Sequence, residues 1–337
     1  MGESAPGQGN PSPAFHFLVE EALRKVLSGR EISFDEALTL LTDARIPTPD
    51  LVSAGARVTA AFHESKADLC AIVSAKTGSC VEDCSFCSQS MHHSADAPSH
   101  PLLSDEAIMD AARRAREIGA RRFCIVSQGR SPSERDFPRI LSLVQKIRNE
   151  TGLSVDCALG ALTEEQAAAL KSAGVSTYNH NIETAASFFP SIVRTHAFED
   201  RVRTVRILKK AGINACCGGI LNLGETPRQR IEFAFALREL DPEIVPINIL
   251  NPRPGTPLED VPAADPWEMV RTIAVFRLVL PKPVFKLAGG REASLGPLQS
   301  EAVRAGARGA IVGGYLTTAG GDPAADIRMF ASLGLSC

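Results

Sequence analysis

Aromatic side chains are scarce in this chain: one Trp, two Tyr and fifteen Phe make up 5% of it. A core with so few rings must be built from aliphatic residues and alanine, which favours an α/β interior over a sandwich with aromatic anchors. A dominant charge is missing too. Thirty-six Lys and Arg stand against 39 Asp and Glu, a net charge of −3, with no long run of either sign. Nucleic acid and anionic membrane are therefore not expected partners. No apolar run reaches membrane-spanning length. Residues 1–14 are rich in Gly, Pro and Ser and lack the basic-then-apolar order of a signal peptide. They read as a disordered tail on a cytoplasmic protein.

Cysteine is not lacking. Nine cysteines in a chain expected to be cytoplasmic point to metal binding or catalysis before a disulfide framework. Three of them, Cys80, Cys84 and Cys87, stand at C-x3-C-x2-C spacing in the polar loop from Lys76 to Ser90. Soft thiolates select iron–sulfur clusters or zinc over hard cations. Three is the informative number, because a cubane held by four cysteines is coordinatively closed. With only three irons held by protein, the fourth stays open to a ligand or substrate, as in catalytic zinc sites. On spacing alone a disulfide or a zinc knuckle remains open.

The chain around this loop has a clear rhythm. Residues 15–28 and 33–44 read as two helices, the second opened by a Ser33/Glu36 capping box. Residues 15–66 are expected to form a helical cover without chemistry. From about Asp68 strands and helices alternate. The strand candidates are 69–74, 122–127, 154–159, 175–181, 213–220, 244–250, 284–288 and 310–312. Helices are expected at 104–120, 163–173, 197–211, 227–240, 266–279 and 323–332. Eight apolar strands with helices between them predict a single (β/α)8 barrel of the TIM type over residues 67–337. The rival, an open doubly wound sheet, lacks a glycine-rich dinucleotide turn after the first strand.

Barrel chemistry sits at the C-terminal ends of strands, and the cysteine loop follows the first one. Cys70, Cys124, Cys157, Asn179, Asn181, Cys216, Asn248 and Lys286 fall inside or at the ends of strands. A lone strand cysteine reads as a small buried hydrophobe. Four on different strands can converge on one axis.

These residues carry a resemblance. A C-x3-C-x2-C loop with Phe86 before its last cysteine resembles the radical S-adenosylmethionine superfamily. From about Leu69 to Leu335 the chain is similar to the biotin synthase family in particular. The matching stretches are Lys76-Thr77-Gly78, Tyr178-Asn179-His180-Asn181, Gly218 to Glu225, Val245-Pro246-Ile247-Asn248, Gly255-Thr256-Pro257-Leu258, Gly289-Gly290-Arg291-Glu292 and Tyr315-Leu316-Thr317-Thr318.

The resemblance implies that Cys80, Cys84 and Cys87 hold a 4Fe–4S cluster whose open iron takes the methionine moiety of S-adenosylmethionine. Reductive cleavage then leaves a 5′-deoxyadenosyl radical. It implies cofactor contacts from Phe86, Glu183, Gly218, Gly219, Ile220 and Glu225, with Glu183 where the family often has aspartate. It implies dethiobiotin as substrate, bound by Asn181 and Asn248 with Lys76 nearby and Asn179 as a further candidate. An electron donor such as flavodoxin or ferredoxin, and a homodimer, are also implied.

The resemblance also implies an auxiliary cluster, 2Fe–2S or larger, deep in the barrel, with Cys124, Cys157, Cys216 and Lys286 at its ligand positions. Two departures stand out. Cys157 lies one residue nearer Leu159-Gly160 than the family pattern, and a one-residue slip turns a side chain to the other strand face; Asp156 then takes its position. Lys286 stands where the family has arginine, and it lacks the planar guanidinium fork. Cys70, Cys157, Cys216 and Lys286 come from alternate strands, which share a layer, so Cys70 is a further candidate ligand. The competing readings are a related radical enzyme acting on another small molecule, and an iron–sulfur carrier.

Overall fold

The computed structural model describes residues 13–318 and 320–337. Of the expected tail, residues 1–12 lie outside the described residues, and Pro13 and Ala14 open the first helix. The strands are β1 (Asp68–Lys76), β2 (Arg122–Ser127), β3 (Ser154–Ala158), β4 (Thr177–Asn179), β5 (Asn214–Cys216), β6 (Gly219–Leu221), β7 (Ile244–Ile249), β8 (Val284–Leu287) and β9 (Ala307–Ile311). They form one sheet in the order β5-β4-β3-β2-β1-β9-β8-β7-β6, and β5 also meets β7. That pairing, Cys216 beside Ile244, closes the barrel. Every strand pair in it is parallel.

The expected fifth strand is interrupted. Its first half is β5 and its second half β6, with Cys217 and Gly218 between them. The cause is close strand packing. A Cβ on Gly218 would lie 2.1 Å from the Pro246 carbonyl oxygen, and one on Gly219 2.1 Å from that of Glu183. No larger residue fits where the strand breaks and resumes.

Eight helices match the expected ones closely. The Ser33/Glu36 and Thr163/Gln166 capping boxes both form. Four further helices were not expected, the short Arg291–Leu295 and Gln299–Ala305 and the longer pair Thr48–Phe62 and Phe137–Thr151. Pro49 lies in the first turn of one and Pro138 in that of the other, the place where proline's missing N–H costs nothing. In the first case Pro47 precedes the helix and Pro49 lies in its first turn, so the proline pair marks a helix start.

The cover consists of α1 (Pro13–Leu27), α2 (Phe34–Thr42) and α3 (Thr48–Phe62). It is tied to the barrel by Arg271 of the 266–279 helix, which donates to the carbonyls of Leu40, Leu41, Asp43 and Ile46. Among the described residues no helix is long and apolar enough to cross a membrane.

Candidate active site

Strand alternation decides which side chains meet inside the barrel. In register, Cys124 faces Asp156 and Asp156 faces Thr177, while Ile125 faces Cys157. The first set points inward. Ile125 and Cys157 point outward into the helix layer, where both are fully buried. Cys157 therefore does not border the interior, and Asp156 does. The Cys157 expectation is corrected on that ground, for the period of a strand is two. Cys217 is likewise buried in the outer core.

The inner cavity has a volume of about 340 Å³. Its deep end is bordered by Cys70, Cys124, Asp156, Cys216 and Lys286. Cys70, Asp156, Cys216 and Lys286, from alternate strands, thus border one volume, and Cys157 does not. Burial pushes the thiols of Cys70, Cys124 and Cys216 up, to about 12 for Cys70. Lys286 is fully buried. Burial pulls its ammonium toward neutrality, but Cys70 and the Asp68 carboxylate raise it above the ordinary lysine value. Its Nζ lies 3.2 Å from Asp68, which also accepts from Arg122 at 3.1 Å. Arg122 reaches Asp156 at 3.3 Å. A charged lysine has no lone pair for a metal.

A belt of asparagines lies above this layer. Asn248 is fully engaged: its Nδ2 donates to Gly219 O at 3.0 Å and its Oδ1 accepts from Gly289 N at 2.9 Å. Asn181 Oδ1 accepts from Gly218 N at 3.1 Å. Asn179 is the reverse case, with a buried Oδ1 that has no partner. Asn179 carries the unmet acceptor, and Asn248 first serves to lock three strands. Lys76 borders the neighbouring cavity together with Asn179 and Asn181. Its Nζ pairs with Asp136 at 3.0 Å.

That neighbouring cavity, about 420 Å³, is bordered by all three loop thiols, Cys80, Cys84 and Cys87. The loop is folded back by Gln89, whose carbonyl accepts from Cys80 N at 2.8 Å and whose Oε1 accepts from Gly78 N at 3.1 Å. Asp83 pins it to the next layer by accepting from Arg194 N and Thr195 N. None of the three thiols is in a disulfide. Among the described residues no three His, Cys, Asp or Glu donors converge on a point suited to one ion. The thiols instead border a shared space, as a multi-iron unit requires.

Phe86 and Glu183 border both cavities, and Ile220 the inner one. Glu183 has φ 68°, an uncommon backbone state for a residue with a side chain. Its Oε2 is buried without a partner and burial raises its pKa. Glu225 is corrected: both its oxygens are used within the protein, by Asn222 N, Leu223 N and Arg230 Nε, and it borders neither cavity. Gly218 and Gly219 serve strand packing, as described above.

Three residues near the thiols were not found from sequence. Arg201 Nη1 donates to Asn181 O at 3.0 Å and lies 3.3 Å from Glu183, and its Nη2 is 3.9 Å from Cys84 Sγ. Its Nε donates to His196 Nε2 at 3.0 Å, and His196 Nδ1 lies 2.6 Å from Glu82. Because arginine only donates, His196 must be neutral with its proton on Nδ1. Burial, then the Arg201 charge, holds its pKa below the ordinary value. The chain Glu82–His196–Arg201 fixes a guanidinium beside a thiol of the loop. Glu82 lies inside the cysteine motif, but no spacing pattern links it to residues 114 and 119 positions away.

A parallel barrel with a three-cysteine loop after its first strand defines the radical S-adenosylmethionine class of enzymes. The Radical SAM superfamily model matches residues 75–237, and the Biotin and Thiamin Synthesis associated domain matches 246–336. The chain belongs to the biotin synthase family. It is 47% identical to the biotin synthase of Pelotomaculum thermopropionicum over 95% of this chain and 99% of that protein. It is 46% identical to that of Rippkaea orientalis, covering 94% and 88%. Two solved structures share the fold: methylornithine synthase (PylB), TM-score 0.78, 20% identity, covering 94% and 96%, and the hydrogenase maturase HydG, TM-score 0.80, 16% identity, covering 95% and 75%.

Burial has a pH consequence. Burial pushes the thiols of Cys84 and Cys70 up to about 12, and any metal that these thiols bind must expel their protons. Raising the pH lowers that cost. Iron and sulfide uptake by the apoprotein at limiting iron, read from cluster absorbance, is expected to rise from neutral to mildly alkaline pH. A flat or falling profile would contradict the burial argument.

Proposed function

We propose that this chain inserts sulfur into dethiobiotin to form biotin, with S-adenosylmethionine as the radical source. The observation that carries the reading is a two-level interior: loop thiols at the mouth, a second layer of thiols at the floor, and an asparagine belt between them. A carrier of clusters needs exposed thiols, whereas Cys80 and Cys84 are buried and Cys87 only partly open.

Cys80, Cys84 and Cys87 would hold the 4Fe–4S cluster, which supplies the electron that cleaves S-adenosylmethionine. Arg201, beside Cys84, offers a cation to the methionine carboxylate, and the unpartnered Glu183 oxygen suits a ribose hydroxyl. Phe86 and Ile220 supply apolar wall. Cys70, Cys124 and Cys216, with Asp156, would hold the auxiliary iron–sulfur cluster. Lys286 stays an ammonium that offsets its negative charge. The Asn179 carbonyl accepts from a ureido N–H, and Asn181 offers its Nδ2 to the ureido oxygen. A closed, aliphatic interior keeps water and stray hydrogen donors from the radical. The helical cover, residues 15–66, takes no part in the chemistry. A soluble reductant of the flavodoxin or ferredoxin class and a homodimeric, cytoplasmic state complete the reading.

Anaerobic assay of 5′-deoxyadenosine and biotin, with and without dethiobiotin, tests it. Dethiobiotin is expected to stimulate cleavage, and one biotin should form per auxiliary cluster before turnover slows. Asn179→Ala should keep both clusters and raise half-saturating dethiobiotin by about ten- to a hundredfold, the value of one buried hydrogen bond at about 1–3 kcal/mol. Cleavage indifferent to dethiobiotin in the unaltered protein would overturn the assignment.

A further inference from the structure

A third cavity, about 350 Å³, lies at the opposite end of the barrel, beneath the N-terminal ends of the strands. Its cations are Lys66, Arg121, Arg122 and Arg308, and its carboxylates are Glu64 and Asp68. Both carboxylates are already engaged. Glu64 pairs with Lys66 at 2.6 Å, and Asp68 with Arg122 and Lys286. Arg308 has no such partner among the described residues. It donates only to the carbonyls of Val303 and Ala307, and its Nε is buried without an acceptor.

The surroundings add positive charge and nothing to balance it. Arg277, fully buried, spends its donors on the carbonyls of Leu280, Pro281, Pro283 and Gly306. Burial and the charge of Arg308 pull Arg277 down to about 9, and burial with both guanidiniums pulls His63 down to about 4. His63 is therefore neutral and relieves none of this. Charges removed from water are ordinarily paired, and here the missing partner is an anion.

The roof of this cavity is thin. Asp68 and Arg122 border it from below, and their partners Lys286 and Asp156 border the inner cavity from above. One layer of ion pairs separates the two spaces. We propose that the floor cavity is a binding site for a small inorganic anion, and that in turnover it receives hydrosulfide on its way to the thiol layer of Cys70, Cys124 and Cys216. The second half rests on the reading of that layer as a cluster that gives up sulfur. Such a cluster must be resupplied, and the mouth is where the two organic substrates enter. A monoanion crosses a protein interior only where cations offset its charge. No bond is made or broken in the floor cavity itself.

The test uses the full chain and its Arg308→Gln and Arg308→Lys variants, with thermal unfolding to establish that each folds. Crystals soaked in sodium bromide should show an anomalous peak in the floor cavity of the unaltered and Arg308→Lys proteins and none in Arg308→Gln. After one turnover, restoration of auxiliary-cluster absorbance is followed against added sulfide with ferrous iron in excess. Arg308→Gln should need about ten- to a hundredfold more sulfide, the value of a hydrogen bond to a charged group. Biotin formed in the first turnover should not change. Absence of bromide from the unaltered protein, or its persistence in Arg308→Gln, overturns the anion site. Bromide binding with equal sulfide dependence in all three proteins overturns the route. If no protein takes up an auxiliary cluster, the route falls with that reading, while the bromide result still decides the site.

Discussion

Cys84→Ala is expected to abolish formation of 5′-deoxyadenosine, a loss of at least three orders of magnitude and in practice to background. With three protein thiolates there is no spare ligand, and removing one leaves an iron of the cluster uncaged. Cys84 is the most informative of the three. It packs against Phe189, Ile192 and Leu223, with Arg201 Nη2 beside its sulfur. Alanine there removes one buried sulfur from an apolar pocket, a cost of about 1–2 kcal/mol, on the scale of a small core truncation. The protein should therefore fold, with unchanged far-ultraviolet circular dichroism and a modest fall in Tm. The auxiliary site should still load iron, because its thiols lie in a separate layer. Robust cleavage by Cys84→Ala would mean that the loop does not hold the cluster that acts on S-adenosylmethionine.

The second large effect separates two neighbouring positions on one strand. Cys157→Ala should retain a full complement of auxiliary iron and sulfide and near-normal biotin formation, whereas Cys70→Ala, Cys124→Ala and Cys216→Ala should each lose the auxiliary cluster and all biotin. Cys157 faces the helices and Asp156 the interior. The other three thiols border the same deep end of the cavity. Asp156→Ala belongs with the losers, since it removes an inward donor and one of the two carboxylates that Arg122 reaches, the other being Asp68. Iron and sulfide analysis with Mössbauer spectra reads the outcome. If Cys70→Ala keeps its auxiliary cluster and turnover while Lys286→Ala loses both, lysine is the ligand and the proposed set is wrong. Loss of the cluster in Cys157→Ala would place that side chain inside the barrel, against the observed register.

Much of this was legible from residue order. The cysteine loop announces itself because its ligands are close in sequence, so three to seven residues of chain suffice to bring them together. The alternation of short apolar strands with capped helices points to a parallel barrel for a related reason: each βα unit is a local structure with local signals. Ser33 with Glu36 and Thr163 with Gln166 are examples, and both boxes form. Even the floor layer was partly readable, because inward positions on alternate strands follow from counting by twos.

The limits of that reading have a common cause. Counting by twos fails when a strand end is misjudged by one residue: residue type pointed to Cys157, the family spacing left Cys157 and Asp156 both open, and the register selects Asp156. Asn248 and Asn181 look like ligand-binding amides until the strand partners that occupy them are known. Arg201, His196 and the floor cavity around Arg308 have no sequence signature at all, because their partners lie far away along the chain and meet only when the barrel closes. By itself the sequence determined the fold class, the family and the thiols at the mouth, all of which rest on local patterns or short spacings. Only the tertiary structure decided which polar groups are already satisfied and which are left facing empty space. That is a question of three-dimensional pairing, and in a closed barrel the pairs come from opposite ends of the chain.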